Sequence, residues 1–204
     1  MTQAILWAMA GTGFTFFMTS MGSATVFFFK KEISASIQRI FLGFAAGVMI
    51  AASIWSLLIP AMEEAKSAGQ PEWLAASGGF ILGIAFLMLL DSVLPHLHPG
   101  AKEAEGLSAN WKRTTMLMTA VTLHNIPEGM AVGLSFALAA QSGQGAGYAA
   151  AMALALGMGI QNFPEGAAIS LPLRQEGISR TKSFVYGMLS GIVEPIFGIL
   201  VVLI

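Results

Sequence analysis

The sequence predicts an all-α protein, a polytopic bundle of membrane-spanning helices. Its 204 residues are 55% hydrophobic and only 10% charged, with a mean hydropathy of +0.73. A soluble domain carries about a quarter charged residues. The apolar residues gather in six runs, each near or above the roughly 20 residues that a helix needs to cross a bilayer. Only short polar connections separate the runs, so a single transmembrane domain over 1–204 is expected.

The runs are 4–29, 37–60, 73–95, 114–140, 146–172 and 183–204. The first exceeds the roughly 7–15 residues of a signal-peptide core and has no basic residue before it, so it reads as a retained span. Lys and Arg set the orientation. Lys30, Lys31 and Arg39, then Lys102, Lys112 and Arg113, then Arg174, Arg180 and Lys182 hold nine of the ten basic residues. All flank the first, third and fifth connections, which are expected in the cytoplasm with the N-terminus outside. The last run ends at Ile204 with no polar tail, so the chain is expected to be C-terminally incomplete. Gly43/Gly47, Gly79/Gly83, Gly129/Gly133 and Gly187/Gly191 are small-xxx-small pairs, expected to let helix backbones approach closely.

Several chemistries are excluded. With no cysteine there are no disulfides, thiolate sites or Cys nucleophiles. A net charge of −1 gives no reason to expect nucleic acid. No GxxxxGK[ST] phosphate loop occurs, so ATP drives nothing through that motif.

The polar residues inside the apolar runs carry the chemistry. His124-Asn125-Ile126-Pro127-Glu128-Gly129 is echoed 37 residues on by Gln161-Asn162-Phe163-Pro164-Glu165-Gly166. Four residues is just over one helical turn, so His124 and Glu128 share a face, as do Gln161 and Glu165. Pro127 and Pro164 cannot donate to the carbonyls of Leu123 and Ile160, so both helices are expected to be broken there. Paired broken helices point to a transport site at the membrane midplane.

Glu128, Glu165 and Glu194 all fall at membrane depth, where a bare carboxylate costs several kcal/mol. No Lys or Arg lies more than two residues inside a span. The carboxylates must therefore be protonated, hydrated or neutralised by an external cation, and a divalent metal is the option that also explains the N and O donors of His124, Asn125, Gln161 and Asn162 beside them. Such a donor set suits Zn²⁺, Fe²⁺, Mn²⁺ or Cd²⁺.

These motifs, with Glu194-Pro195, resemble the fourth, fifth and sixth helices of the ZIP (Zrt/Irt-like) divalent-metal transporters, in particular their bacterial and archaeal GufA-like and ZupT-like members. The resemblance spans the whole chain in helix order. It implies import of metal into the cytoplasm across a prokaryotic inner (plasma) membrane, through a binuclear centre between helices 4 and 5. It matches His124, Glu128, Gln161 and Glu165 to one metal position and Asn125, Asn162, Glu165 and Glu194 to the other, with Glu128 and Glu165 bridging. Met49 matches a second-helix methionine beside the first metal; in an apolar span it reads equally well as packing. Many relatives have Asp or His where this chain has Asn162 or Gln161, which leaves the second position one charge short. The family usually has eight helices, two more than this chain shows.

Pro95-His96-Leu97-His98 opens the third connection, where His96 and His98 form a candidate exit site that Asp91 could complete. Glu63, Glu64 and Glu72 gather in the second connection, as a cation-attracting vestibule or a solvated loop. The expected partners are metal ions and the lipid bilayer, with a second copy of the chain as a homodimer. No cofactor is expected beyond the transported metal. Two other functions fit less well. An intramembrane metal-dependent hydrolase needs about three fixed ligands and an open position, yet only His124 among the histidines lies in a span and no HExxH occurs. A non-transporting metal sensor leaves the doubled proline motif unexplained.

Overall fold

The structure is a computed structural model and describes residues 2–28, 35–97, 103, 105–107, 112–143 and 145–204. His98, Lys30, Lys31 and Lys102 lie outside the described residues. The elements are α1 (Thr2–Phe28), α2 (Ala35–Ala51), a π-helical stretch (Ala52–Leu58), α3 (Ile59–Ser67), α4 (Glu72–Val93), α5 (Arg113–Ser142), α6 (Gly145–Gln175), α7 (Arg180–Ser190) and α8 (Val193–Leu203). Among the described residues they make six helical passes through the bundle, because α2, the π-helical stretch and α3 run on as one helix and α7 with α8 form the last.

Among the described residues, four segments are long and apolar enough to cross a membrane: Thr2–Phe28, Gly43–Ser67, Glu72–Val93 and Arg180–Leu203. Helices α5 and α6 have the length, at 30 and 31 residues. Their own motif residues lower their hydropathy. An all-α membrane bundle is thus what the chain folds into.

The second pass extends to Ser67, seven residues beyond the expected end, so Glu63 and Glu64 stand on a helix and not in a loop. Pro60 lies inside this continuous helix, just after the π-helical stretch, and cannot donate to a carbonyl of the preceding turn. The true stop is Gly69, at φ 70°. Its N–H reaches the Lys66 carbonyl at 3.0 Å and the Gln70 N–H reaches Ala65 at 2.8 Å, which closes the helix end. Glu72 pairs with Lys66 at 3.4 Å, while Glu63 and Glu64 stay exposed.

Pro127 and Pro164 do not end their helices. Both α5 and α6 continue as helix through them, so each proline removes one hydrogen bond rather than breaking the element. The interruption lies in the sixth pass. Pro195 cannot donate to the Gly191 carbonyl, which instead accepts the Glu194 N–H at 3.1 Å, and the Gly191 and Ile192 N–H groups tighten onto Met188 and Leu189. The residue facing this proline is glycine, about 1 kcal/mol poorer than alanine at holding a helix. Leu123 and Ile160 face the other two prolines and hold theirs.

Helices α1, α5, α6 and α7–α8 pack on one another, and the π-helical stretch touches α5 and α6. Helix α4 packs chiefly on α3 and buries no residue. The small-xxx-small expectation therefore divides. A Cβ on Gly129 would come 2.5 Å from the Glu194 Cα, and one on Gly22 would come 2.8 Å from the Phe163 carbonyl carbon. These contacts draw α8 and α1 onto the two motif helices. Gly43, Gly47, Gly78, Gly79 and Gly83, on α2 and α4, face open space among the described residues. Their spacing is not used for packing within this bundle.

Two apolar clusters bracket the polar centre. Ala8, Val132, Phe136, Leu154 and Met158 close one end, and Leu97, Ile169 and Leu173 the other.

Candidate metal centre

Between those clusters, α5, α6, α8 and α1 bring the sequence-predicted polar residues together. Each arrives for a helical reason. Asn125 and Glu128 lie three residues apart on the inward face of α5, and Gln161, Asn162 and Glu165 on that of α6. Glu194 sits in the first turn of α8 because the break at Gly191 turns the chain there. It is 1% exposed, and Asn162 is fully buried.

The contacts alternate acid and amide. The Gln161 Nε2 donates to Glu128 Oε1 at 2.8 Å and to Asn162 Oδ1 at 2.9 Å. The Asn162 Nδ2 donates to Glu194 Oε2 at 2.8 Å and to the Thr15 carbonyl at 3.4 Å. The Asn125 Nδ2 donates to the Ser190 carbonyl at 3.2 Å. Glu165 has Asn125, Glu128 and Glu194 as its polar neighbours.

Three oxygens remain. Asn125 Oδ1, Glu128 Oε2 and Glu165 Oε1 are buried and take no hydrogen bond among the described residues. A buried acceptor without a partner costs about 1–3 kcal/mol, and more when charged. Each pairs naturally with a cation.

Two predicted residues stand further out. His124 Nε2 is 3.7 Å from Glu128 Oε1, past hydrogen-bond range, with its side chain 54% exposed. It sits at the rim. Met49 is half-buried on α2, its carbonyl accepting the Ser53 hydroxyl at 2.8 Å just before the π-helical turn. Its neighbour Val48 lies 3.4 Å from where a Cβ on Gly157 would stand, one turn ahead of Gln161.

Sequence reasoning missed the contribution of α1. Thr12, Thr15, Thr19 and Ser23 are all fully buried along one face. The Thr19 hydroxyl lies 3.4 Å from Glu194 Oε1 and 3.2 Å from the Thr15 carbonyl. The Ser23 hydroxyl reaches the Gly166 carbonyl at 3.2 Å. Hydroxyls at positions 12, 15, 19 and 23 share a helical stripe in a largely apolar run, and that spacing was the available signal.

No family model matches the chain, but curated relatives do. It is 36% identical to zinc transporter ZIP11 of Homo sapiens, over 97% of this chain and 80% of that protein. It is also 36% identical to zinc transporter GufA of Myxococcus xanthus, over 89% of this chain and 71% of the relative. Zinc transporter ZupT of Chlorobium chlorochromatii is 32% identical over 96% and 74%. The chain belongs to the ZIP family of zinc transporters. As a ZIP protein it is an integral membrane protein, and its motif helices meet at the polar centre.

Proposed function

We propose that this chain carries divalent metal ions into the cytoplasm, zinc first, through a binuclear centre between α5 and α6. Fe²⁺, Mn²⁺ and Cd²⁺ are further cargo, since imidazole, amide and carboxylate donors suit several first-row ions and cadmium. The observation that carries this reading is the trio of unpartnered buried oxygens on Asn125, Glu128 and Glu165. No Lys or Arg lies in the middle of a pass to answer them. The names of the relatives add zinc as the cargo.

Glu128 and Glu165 bridge the two ions in this reading. His124 and Gln161 complete one position; Asn125, Asn162 and Glu194 complete the other. Loading requires each amide to turn, because Gln161 and Asn162 now present N–H groups to carboxylates that a metal would share. The N-terminus faces outward and the membrane is the plasma membrane of a prokaryote, following the Lys and Arg distribution and the bacterial relatives.

The test is uptake of radioactive Zn²⁺ and Cd²⁺ into proteoliposomes by the wild type, Glu128→Ala and Glu165→Ala. Flux in the wild type and its loss in both variants is the expected result. Flux undiminished in both variants overturns the assignment of the centre.

A further inference from the structure

His96, of the expected exit pair, is engaged within its own connection. Its Nδ1 lies 2.8 Å from the Leu94 carbonyl oxygen, its Nε2 2.9 Å from Asp91 Oδ1, and its backbone is bridged to Glu105. The polar centre, by contrast, holds one chain of side-chain hydrogen bonds that crosses from α5 to α8. Glu128 Oε1 accepts from Gln161 Nε2 at 2.8 Å, and the same Nε2 donates to Asn162 Oδ1 at 2.9 Å. Asn162 Nδ2 then donates to Glu194 Oε2 at 2.8 Å. Gln161 and Asn162 are neighbours on α6, about 100° apart around its axis, so one reaches α5 and the other α8.

The sense of the chain is fixed from its ends. A carboxylate accepts, as does the Thr15 carbonyl, which lies 3.4 Å from the same Asn162 Nδ2. Gln161 is 2% exposed and Asn162 fully buried, so water cannot answer an amide that turns alone.

Neither amide turns alone without a clash of like poles. A turned Gln161 sets its Oε1 against Asn162 Oδ1, two acceptors. A turned Asn162 sets its Nδ2 against Gln161 Nε2, two donors. Turned together, they restore the hydrogen bond in the opposite sense, from Asn162 Nδ2 to Gln161 Oε1. Each amide oxygen then keeps a free lone pair, one beside Glu128 and one beside Glu194.

We propose that Gln161 and Asn162 turn as a pair, so that an ion entering either position of the centre prepares the other. This rests on the binuclear reading above and adds a coupling between its positions. The first ion to load works against the Gln161–Asn162 bond; the second finds the pair already turned. That bond is neutral on both sides, so the coupling is worth about two- to tenfold in affinity. It acts equally in both directions, as any coupling of two binding equilibria must.

Equilibrium dialysis of radioactive Zn²⁺ against the full chain in detergent tests the pairing. His124→Ala disables the first position from outside the amide chain. H124A should therefore hold one zinc, and adding Glu194→Ala should release it. A second zinc in H124A, or one indifferent to Glu194, overturns the binuclear reading and the pairing with it. Where both results hold, Gln161→Leu is added to H124A, at nearly the same volume. It frees Asn162 to turn, so the remaining zinc should bind about two- to tenfold more tightly, although a polar group of the centre is lost. Gln161→Ala should do the same, and serves if the leucine variant does not fold. The gain should vanish when Asn162→Ala is also present, because no second amide is left to release. Unchanged or weaker binding on losing Gln161 overturns the pairing alone. So does a gain that persists without Asn162, which would come through Glu128.

Discussion

Gln161→Glu is expected to tighten zinc binding by about thirty-fold or more. Gln161 Nε2 donates to Glu128 Oε1 at 2.8 Å and to Asn162 Oδ1 at 2.9 Å. The substitution removes both bonds, one to a charged acceptor worth about 1.5–3 kcal/mol and one to a neutral acceptor worth about 0.5–1.5 kcal/mol. It also sets a second carboxylate beside Glu128. The metal-free state therefore rises by at least about 2 kcal/mol, while the metal-bound state exchanges an amide oxygen for a negative charge. With about 1.4 kcal/mol per tenfold, that difference alone is roughly thirty-fold. Calorimetric titration of zinc into purified protein measures it, beside melting temperatures with and without metal. The metal-free variant should melt below the wild type, and zinc should raise its melting temperature by more. Equal or weaker affinity in a folded variant would refute the reasoning, because Gln161 would then stand outside the donor set.

Other perturbations separate packing from binding. Thr19→Val should weaken zinc binding by a few-fold through Glu194, with Thr19→Ser restoring it; equal affinities in all three proteins would reduce Thr19 to packing. Gly129→Val forces a side chain onto the Glu194 backbone, so it should lower stability by about 1–3 kcal/mol or more and abolish uptake. Gly83→Ala, in open space on α4, should leave the melting temperature unchanged or raise it, by up to about 1 kcal/mol of helix propensity; a marked loss would mean that the face is packed. Zinc affinity should fall as pH falls from about 7.5 to 5.5, because carboxylates and imidazole hold metal only when unprotonated, and a flat titration would count against those ligands.

The length of the apolar runs made the helices legible, because 20-residue apolar runs leave few alternatives, and four of the described segments are long and apolar enough to cross a membrane. Spacing put His124 with Glu128 and Gln161 with Glu165 on shared faces, but it did not show that Asn125, and not His124, turns inward beside Glu128. The proline effects were not legible either. Proline removes one donor wherever it stands, but whether the helix then gives way depends on the residue four positions back and on what packs there. That favours Gly191 over Leu123 and Ile160 as the point of failure. The glycine pairs were ambiguous for a related reason. Gly129 and Gly83 look alike in sequence, and only the neighbouring helix tells them apart. Glu105 was invisible as a partner of His96, because a single bridge between residues nine apart leaves no repeat to read.

If the proposed centre works as a carrier, the amides between its carboxylates suit one that must return without its cargo. Glu128 and Glu194 are each met by an amide N–H at 2.8 Å. An aspartate in place of Asn162 would face Glu194 with like charge in that state. A neutral amide answers either condition by rotating about its last torsion, with nitrogen toward a carboxylate or oxygen toward a metal. The same choice weakens the grip on the loaded ion, since an amide oxygen brings no full charge. Release is thereby eased along with return. On this reasoning Asn162→Asp should bind zinc more tightly and yet carry it more slowly, and the two rates, uptake into loaded and unloaded vesicles, would part in opposite directions from affinity.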